Sequence, residues 1–250
     1  MGTVIAFANQ KGGVAKTTST FNIGVALARA GKKTLMIDLD SQASLTISAG
    51  LEPYEQENTI VSALDRSGVP LSRCTLELKP GLWLVPSRLE LAQLEVLLIG
   101  RPVRETILRR AIEPVRSRCD YILIDCPPQL SILTINALAC ADGVLIPVKT
   151  DYLAYRGLEQ LLETVGEIRE LVNPQLSVLG VIATMYETRV KDDREILQLL
   201  QEKYSVIATV KRLAAVKKGV CDGKAVMEQL PASDAAAQYE QVAAYVMERG

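Results

Sequence analysis

Short runs of apolar, β-branched residues alternate with stretches of helical periodicity along the whole chain. The strand-like runs are Val4–Ala8, Thr34–Asp38, Leu82–Val85, Tyr121–Asp125, Gly143–Val148 and Val178–Ala183, with a weaker one at Ser205–Ala208. Several are apolar throughout rather than alternating, the pattern of a parallel strand covered on both faces. Residues 16–30 read as a helix that stops before Gly31, a residue suited to the left-handed turn after a helix end. In 156–172, Leu158, Leu161, Leu162, Val165, Ile168 and Leu171 mark one helix face, and 190–203 and 232–249 share that periodicity. This alternation predicts an α/β fold, a doubly wound and mostly parallel sheet. The least regular part, about 50–115, is punctuated by Pro53, Pro70, Pro80, Pro86 and Pro102. It predicts short helices and a β excursion inserted into a single domain over 1–250.

Composition narrows the function classes. Of 250 residues, 48% are hydrophobic, enough for one sizeable core. With 28 Lys+Arg against 29 Asp+Glu the net charge is -1, so attraction to nucleic acid or membrane has to come from a local patch. No apolar run approaches the ~20 residues of a membrane helix. Thr3–Ala8 opens directly as a strand, so no signal peptide is expected. The five cysteines are irregularly spaced without a C-x-x-C, which predicts reduced thiols and a cytoplasmic protein. There is no histidine, which excludes Ser-His-Asp and Cys-His chemistry and a His-ligated metal.

The chemistry is concentrated after the first strand, in Ala8-Asn9-Gln10-Lys11-Gly12-Gly13-Val14-Ala15-Lys16-Thr17-Thr18. A Gly-rich turn between strand and helix lets backbone N–H groups converge on an anion at the positive end of the helix. Lys16 can then reach terminal phosphates, and the Thr17 hydroxyl can coordinate Mg²⁺. A chance turn would account for Lys-Gly-Gly alone. It does not account for the full spacing K-G-G-x-x-K-T-T in that context.

The ordinary phosphate-loop pattern would place Gly at Gln10 and Ala15. The sequence instead resembles the deviant Walker A (KGGxxKT) P-loop NTPases of the ParA/MinD family, and in particular its ParA/Soj-type partitioning ATPases. The resemblance implies ATP and Mg²⁺ as ligands, held by Gln10, Lys11, Gly12, Gly13, Val14, Ala15, Lys16, Thr17 and Thr18. It implies that Lys11 crosses to the nucleotide of a second subunit. Family members usually have Gly at position 15; Ala fits there if its φ is negative. Ile37-Asp38-Leu39-Asp40-Ser41-Gln42 resembles the family's D-x-D-P-Q with Ser41 in place of Pro. Asp40 is thereby expected to align the attacking water, and Asp38 to make a supporting contact near Mg²⁺ or Lys16. Tyr121–Asp125 followed by Cys126-Pro127-Pro128 resembles a Walker B strand, with Asp125 on Mg²⁺ through water and Cys126 a small filler. Thr184-Met185-Tyr186 resembles the segment near the adenine. Lys11, Lys16 and Asp40 are the expected catalytic set. The resemblance is strong over 3–45 and 119–160 and weak over 50–115.

Three outputs suit such an ATPase. ParA-like members bind DNA non-specifically as ATP dimers. Residues 203–224 carry Lys203, Lys211, Arg212, Lys217, Lys218 and Lys224 against Asp222 alone, and Arg189 and Lys191 extend the patch. Arg189, Lys211, Arg212, Lys217, Lys218 and Lys224 are the expected DNA contacts, although most charge runs are solvated faces. MinD-like members use a basic membrane helix, whereas residues 232–250 hold one Arg and no Lys, so no membrane partner is expected. Metal-cluster relatives need paired cysteines that this chain lacks. The function expected from the resemblance is an ATP homodimer that associates with the nucleoid and positions a plasmid, chromosome or other cargo. A ParB-like or analogous adaptor would release it by stimulating a weak ATPase. The alternatives are a MinD-like ATPase on a membrane or protein surface, and an enzyme that uses ATP on a small substrate.

Overall fold

The computed structural model describes residues 1–66, 68–212 and 223–249. Eight strands form one sheet in the order β3-β4-β2-β5-β1-β6-β7-β8. They are β1 (Thr3–Phe7), β2 (Thr34–Asp38), β3 (Leu76–Lys79), β4 (Leu82–Val85), β5 (Tyr121–Asp125), β6 (Gly143–Lys149), β7 (Ser177–Tyr186) and β8 (Val206–Lys211). Among the described residues only the β3–β4 pairing is antiparallel, so the mostly parallel doubly wound sheet is borne out.

The helices are α1 (Lys16–Arg29), α2 (Ser44–Ser48), α3 (Ile60–Leu64), α4 (Leu91–Ile99), α5 (Ile107–Arg116), α6 (Ile132–Cys140), α7 (Tyr152–Leu171), α8 (Lys191–Lys203), α9 (Val226–Gln229) and α10 (Asp234–Arg249). The apolar strands divide their side chains between two cores with the strand period of two. Val4, Ala6 and Ala8 of the first strand region face one core with α3–α8, whereas Ile5 and Phe7 face the other with α1, α9 and α10. In β5, Ile122 and Ile124 take the first side and Tyr121 and Leu123 the second. Continuous apolar runs are therefore what both faces require.

Gly24 lets α1 lie close on β2, since a Cβ there would come within 2.6 Å of Met36 Sδ. At the β8 edge, side chains of α10 take over the ladder: Thr209 N donates to Gln238 Oε1 at 2.8 Å, and Gln241 Nε2 donates to Ile207 O at 2.8 Å. Gly31, at φ 80°, supplies the left-handed turn expected after α1. The helix expected from residue 156 starts a turn earlier, where Asp151 caps it by accepting Ala154 N at 2.8 Å. No helix among the described residues is long and apolar enough to cross a membrane.

Candidate functional site

The parallel strands bring their C-terminal ends to one edge, where open α/β sheets hold ligands. The loop from β1 to α1 lies at that edge and is held by three hydrogen bonds. Asn9 Nδ2 donates to Pro147 O at 2.7 Å, and Asn9 Oδ1 accepts Lys11 N at 2.9 Å. Thr184 Oγ1 donates to Val14 O at 3.0 Å. Asn9 is buried, and its anchoring of the loop on β6 was not anticipated, because only the fold brings Pro147 next to it.

Within the loop, Gly13 has φ 72° and Ala15 has φ 63°. The condition under which Ala fits without strain, a negative φ, is therefore not met at Ala15. The loop keeps the left-handed turn immediately before α1, and Ala15 occupies it at a steric cost of about 1 kcal/mol. Lys16 is 7% exposed. Its Nζ folds back to donate to Asn9 O at 3.1 Å and Lys11 O at 3.2 Å, closing the loop into a ring around its ammonium. Burial lowers the Lys16 pKa, while the nearby Asp125 opposes that shift.

Asp38 and Asp125 end neighbouring strands in register. Asp125 is fully buried. Thr20 Oγ1 reaches its Oδ1 at 3.5 Å, and its Oδ2 has no hydrogen-bond partner among the described residues. Burial, reinforced by Asp38, pushes the Asp125 carboxyl up to about 8, with Thr17 and Lys16 opposing.

Asp38, expected as a supporting contact near Mg²⁺ or Lys16, neighbours Asp125 and bonds to the β2–α2 turn. Its Oδ2 accepts Thr46 N at 2.8 Å and Thr46 Oγ1 at 2.7 Å, and its Oδ1 accepts Asp40 N at 3.2 Å. Both oxygens are thus engaged in holding the β2–α2 turn, not Lys16. Burial raises Asp38 to about 6 against these hydrogen bonds. Thr46 Oγ1 in turn accepts Ser87 N at 2.9 Å. The result is a fixed platform for Asp40, which is partly exposed and accepts Gln42 N at 3.0 Å.

A cavity of about 930 Å³ opens over these strand ends. Of the expected nucleotide residues, Gly12, Gly13, Ala15, Lys16, Thr17, Thr18, Asp40 and Met185 line it. Gln10, Lys11, Val14, Asp38 and Asp125 do not. Val14, Asp38 and Asp125 are buried beneath it. Met185, at φ 55°, stands beside Thr184 on the far wall. Sequence reasoning missed Ser44, Ile47 and Ser48 of α2, Pro128 after the Walker B-like strand, and Tyr239 of α10.

Lys11 points elsewhere. Its Nζ pairs with Asp151 Oδ1 at 2.7 Å, and Lys149 Nζ meets the other oxygen at 3.1 Å. Burial alone would raise the Asp151 carboxyl, but bonds from Lys11, Ala154 N and Lys149 hold it below its ordinary value.

Of the six expected DNA residues, four lie among the described residues. Lys211 and Arg212 line the nucleotide cavity, paired with Asp234 at 3.3 Å and Glu187 at 2.8 Å. Arg189 and Lys224 are exposed, and Lys217 and Lys218 lie outside the described residues. Cys126 is buried, and burial pushes its thiol well up, in keeping with a filler.

A buried carboxylate with an unpartnered oxygen, close to the Thr17 hydroxyl, is a donor set suited to a hydrated magnesium ion. A Gly-rich ring at a helix N-terminus suits the phosphates beside it. A family described as an AAA domain matches residues 2–178. The sporulation initiation inhibitor protein Soj of Bacillus subtilis is 36% identical over 255 residues, covering 100% of both chains. The chromosome partitioning protein ParA of Myxococcus xanthus is 40% identical over 200 residues, 79% of this chain and 70% of its own. Cobyrinic acid a,c-diamide synthase of Mycobacterium smegmatis, solved with ADP and magnesium, superposes with TM-score 0.86 at 32% identity, over 100% of this chain and 95% of its own. With a phosphate loop, strand-end carboxylates and end-to-end similarity to Soj, the chain is an ATP hydrolase that uses Mg-ATP and belongs to the ParA/Soj family of partitioning ATPases.

Proposed function

We propose that the chain acts as one ATPase unit over 1–250, whose Mg-ATP form closes into a sandwich dimer, binds DNA non-specifically and positions a cargo. The observation that carries this reading is the placement of Lys11. It sits on the phosphate loop but outside the nucleotide cavity, held by the partly exposed Asp151. A lysine so placed is free to serve a second subunit once that ion pair opens.

When bound, Mg²⁺ neutralises phosphate charge, with Thr17 and, through water, Asp125 as its protein partners. The loop N–H groups of 12–17 hold the phosphates, and Lys16 turns from its two carbonyl partners to them. Asp40, on the platform built by Asp38 and Thr46, accepts a hydrogen bond from the attacking water and orients it. Thr184 and Met185 border the base. A partner protein that improves this alignment speeds a slow hydrolysis, and the dimer opens.

Lys224, Arg189, Lys211 and Arg212, with Lys217 and Lys218, supply the phosphate contacts on DNA. Their number is doubled in a dimer, so binding weakens steeply with salt. Binding to a labelled random duplex, with Mg-ATP or Mg-ADP at two salt concentrations, tests this. The reading expects binding with ATP only, falling with salt and with Lys224→Glu. Equal binding in both nucleotide states, or none, contradicts it.

A second reading rests on the similarity to the cobyrinic acid a,c-diamide synthase. There the same site would use ATP on a small carboxylic acid. It expects cobyrinic acid with an amide donor, and not DNA with an adaptor, to stimulate ATP turnover.

A further inference from the structure

A second cavity lies apart from the nucleotide site. It is a groove of about 710 Å³ between α3 and α5, closed at its ends by the turn at Leu71–Arg73 and the segment 101–103. It shares no lining residue with the nucleotide cavity.

Its floor is apolar, with Leu64, Leu71, Ala111 and Val115 among its residues. Pro70, Pro102 and Pro114 on its walls have no N–H to offer a ligand. Its charge is one-sided: Arg66, Arg101 and Arg110 line it against Asp65 alone. Arg101 is committed, donating to Leu64 O at 2.7 Å and Asp65 Oδ1 at 3.2 Å. Arg66 and Arg110 are exposed, and among the described residues neither makes an ion pair.

Two unpaired guanidinium groups over an apolar floor complement a ligand that carries carboxylates beside an apolar anchor. We infer that this groove docks a peptide segment of a partner protein in which acidic residues flank apolar side chains. Arginine is the cation whose planar fork matches carboxylates, and arginine clusters read acidic motifs. A small anion would leave the apolar floor uncovered, and single-stranded nucleic acid would find no aromatic platform among the lining residues. Because the groove and the nucleotide cavity are separate, this partner is held whichever nucleotide is bound.

A short fluorescent peptide of Glu and Leu around one Phe is a suitable probe, with its Gln-for-Glu and Ser-for-Leu versions as controls. Saturable binding is expected for the first and not for either control, weakening with salt and unchanged by Mg-ATP. The double variant Arg66→Glu/Arg110→Glu should weaken it by about tenfold or more, while melting temperature and ATP binding stay unchanged because both side chains are exposed. The peptide should also slow amide exchange in 107–116. No saturable binding, equal binding of the Gln version, displacement by ATP, or loss in Lys224→Glu rather than in the double variant overturns the inference. So does a fall in the mass of the protein alone in the double variant, which would make a second copy the occupant.

Discussion

Ala15 holds φ 63° in the phosphate loop, a conformation that glycine adopts without cost. Ala15→Gly removes the steric penalty and gives back part of the gain as unfolded-chain entropy. The net effect expected is stabilisation by up to about 1 kcal/mol, a rise of about 2–4 °C in melting temperature. A lower melting temperature would show that the methyl packs usefully in the loop.

Asp125 gives a pH signature at the same scale. Its carboxyl is raised to about 8 by burial, so below that pH the free protein holds it protonated. The proposed magnesium site uses the ionised form. Binding of Mg-ATP at pH 7 should therefore release close to one proton, and at pH 9.5 none. Affinity should fall by up to about tenfold per pH unit below 8. Calorimetry in buffers of different ionisation enthalpy measures the release, and Asp125→Asn should abolish it. The same release from the Asn variant would assign the proton to another group.

The β2–α2 turn is where an element supports the chemistry. Thr46 Oγ1 donates to Asp38 and accepts from Ser87 N, joining α2, β2 and the segment after β4. Thr46→Val keeps the shape but leaves Ser87 N unpaired and a buried carboxylate short of a donor. It should cost about 2–4 kcal/mol, read as a drop of about 5 °C or more in melting temperature. A drop of less than about 1 °C would show that the network does not hold the turn.

This network was hidden in the sequence. Thr46 follows Asp38 by eight residues across a left-handed turn at Ala43, φ 52°, and no periodic signal links them. The central strands were legible because burial on both faces demands unbroken apolar runs. β3 was not, since Glu77 and Lys79 make a short polar edge strand. The five-residue helices α2 and α3 carry too few positions to show a period. The same contrast divides the site. The phosphate loop, Asp40 and Asp125 are contiguous with strand ends and could be read off. Tyr239 and Ser48 reach the cavity only through packing of α10 and α2.

For the whole molecule, the tie between Lys11 and Asp151 would oppose the proposed sandwich dimer, since Lys11 would have to leave it to serve a second subunit. Asp151→Asn keeps an N-cap residue for α7 while removing the charge partner. The pair is about one-third exposed on each side, so the gain is modest. Dimer affinity with Mg-ATP should rise about two- to fivefold by analytical ultracentrifugation. A fall in affinity would mean that Asp151 serves the dimer rather than restraining it.

The central claim is that ATP governs assembly through Lys11. Its most direct test is light-scattering mass of Asp40→Ala, alone and combined with Lys11→Ala, in Mg-ADP and in Mg-ATP. The expected result is a dimer of Asp40→Ala only with Mg-ATP, and monomer in every other condition. A mass indifferent to nucleotide, or an ATP dimer that survives loss of Lys11, would contradict the account and leave an ATP hydrolase that works by another assembly.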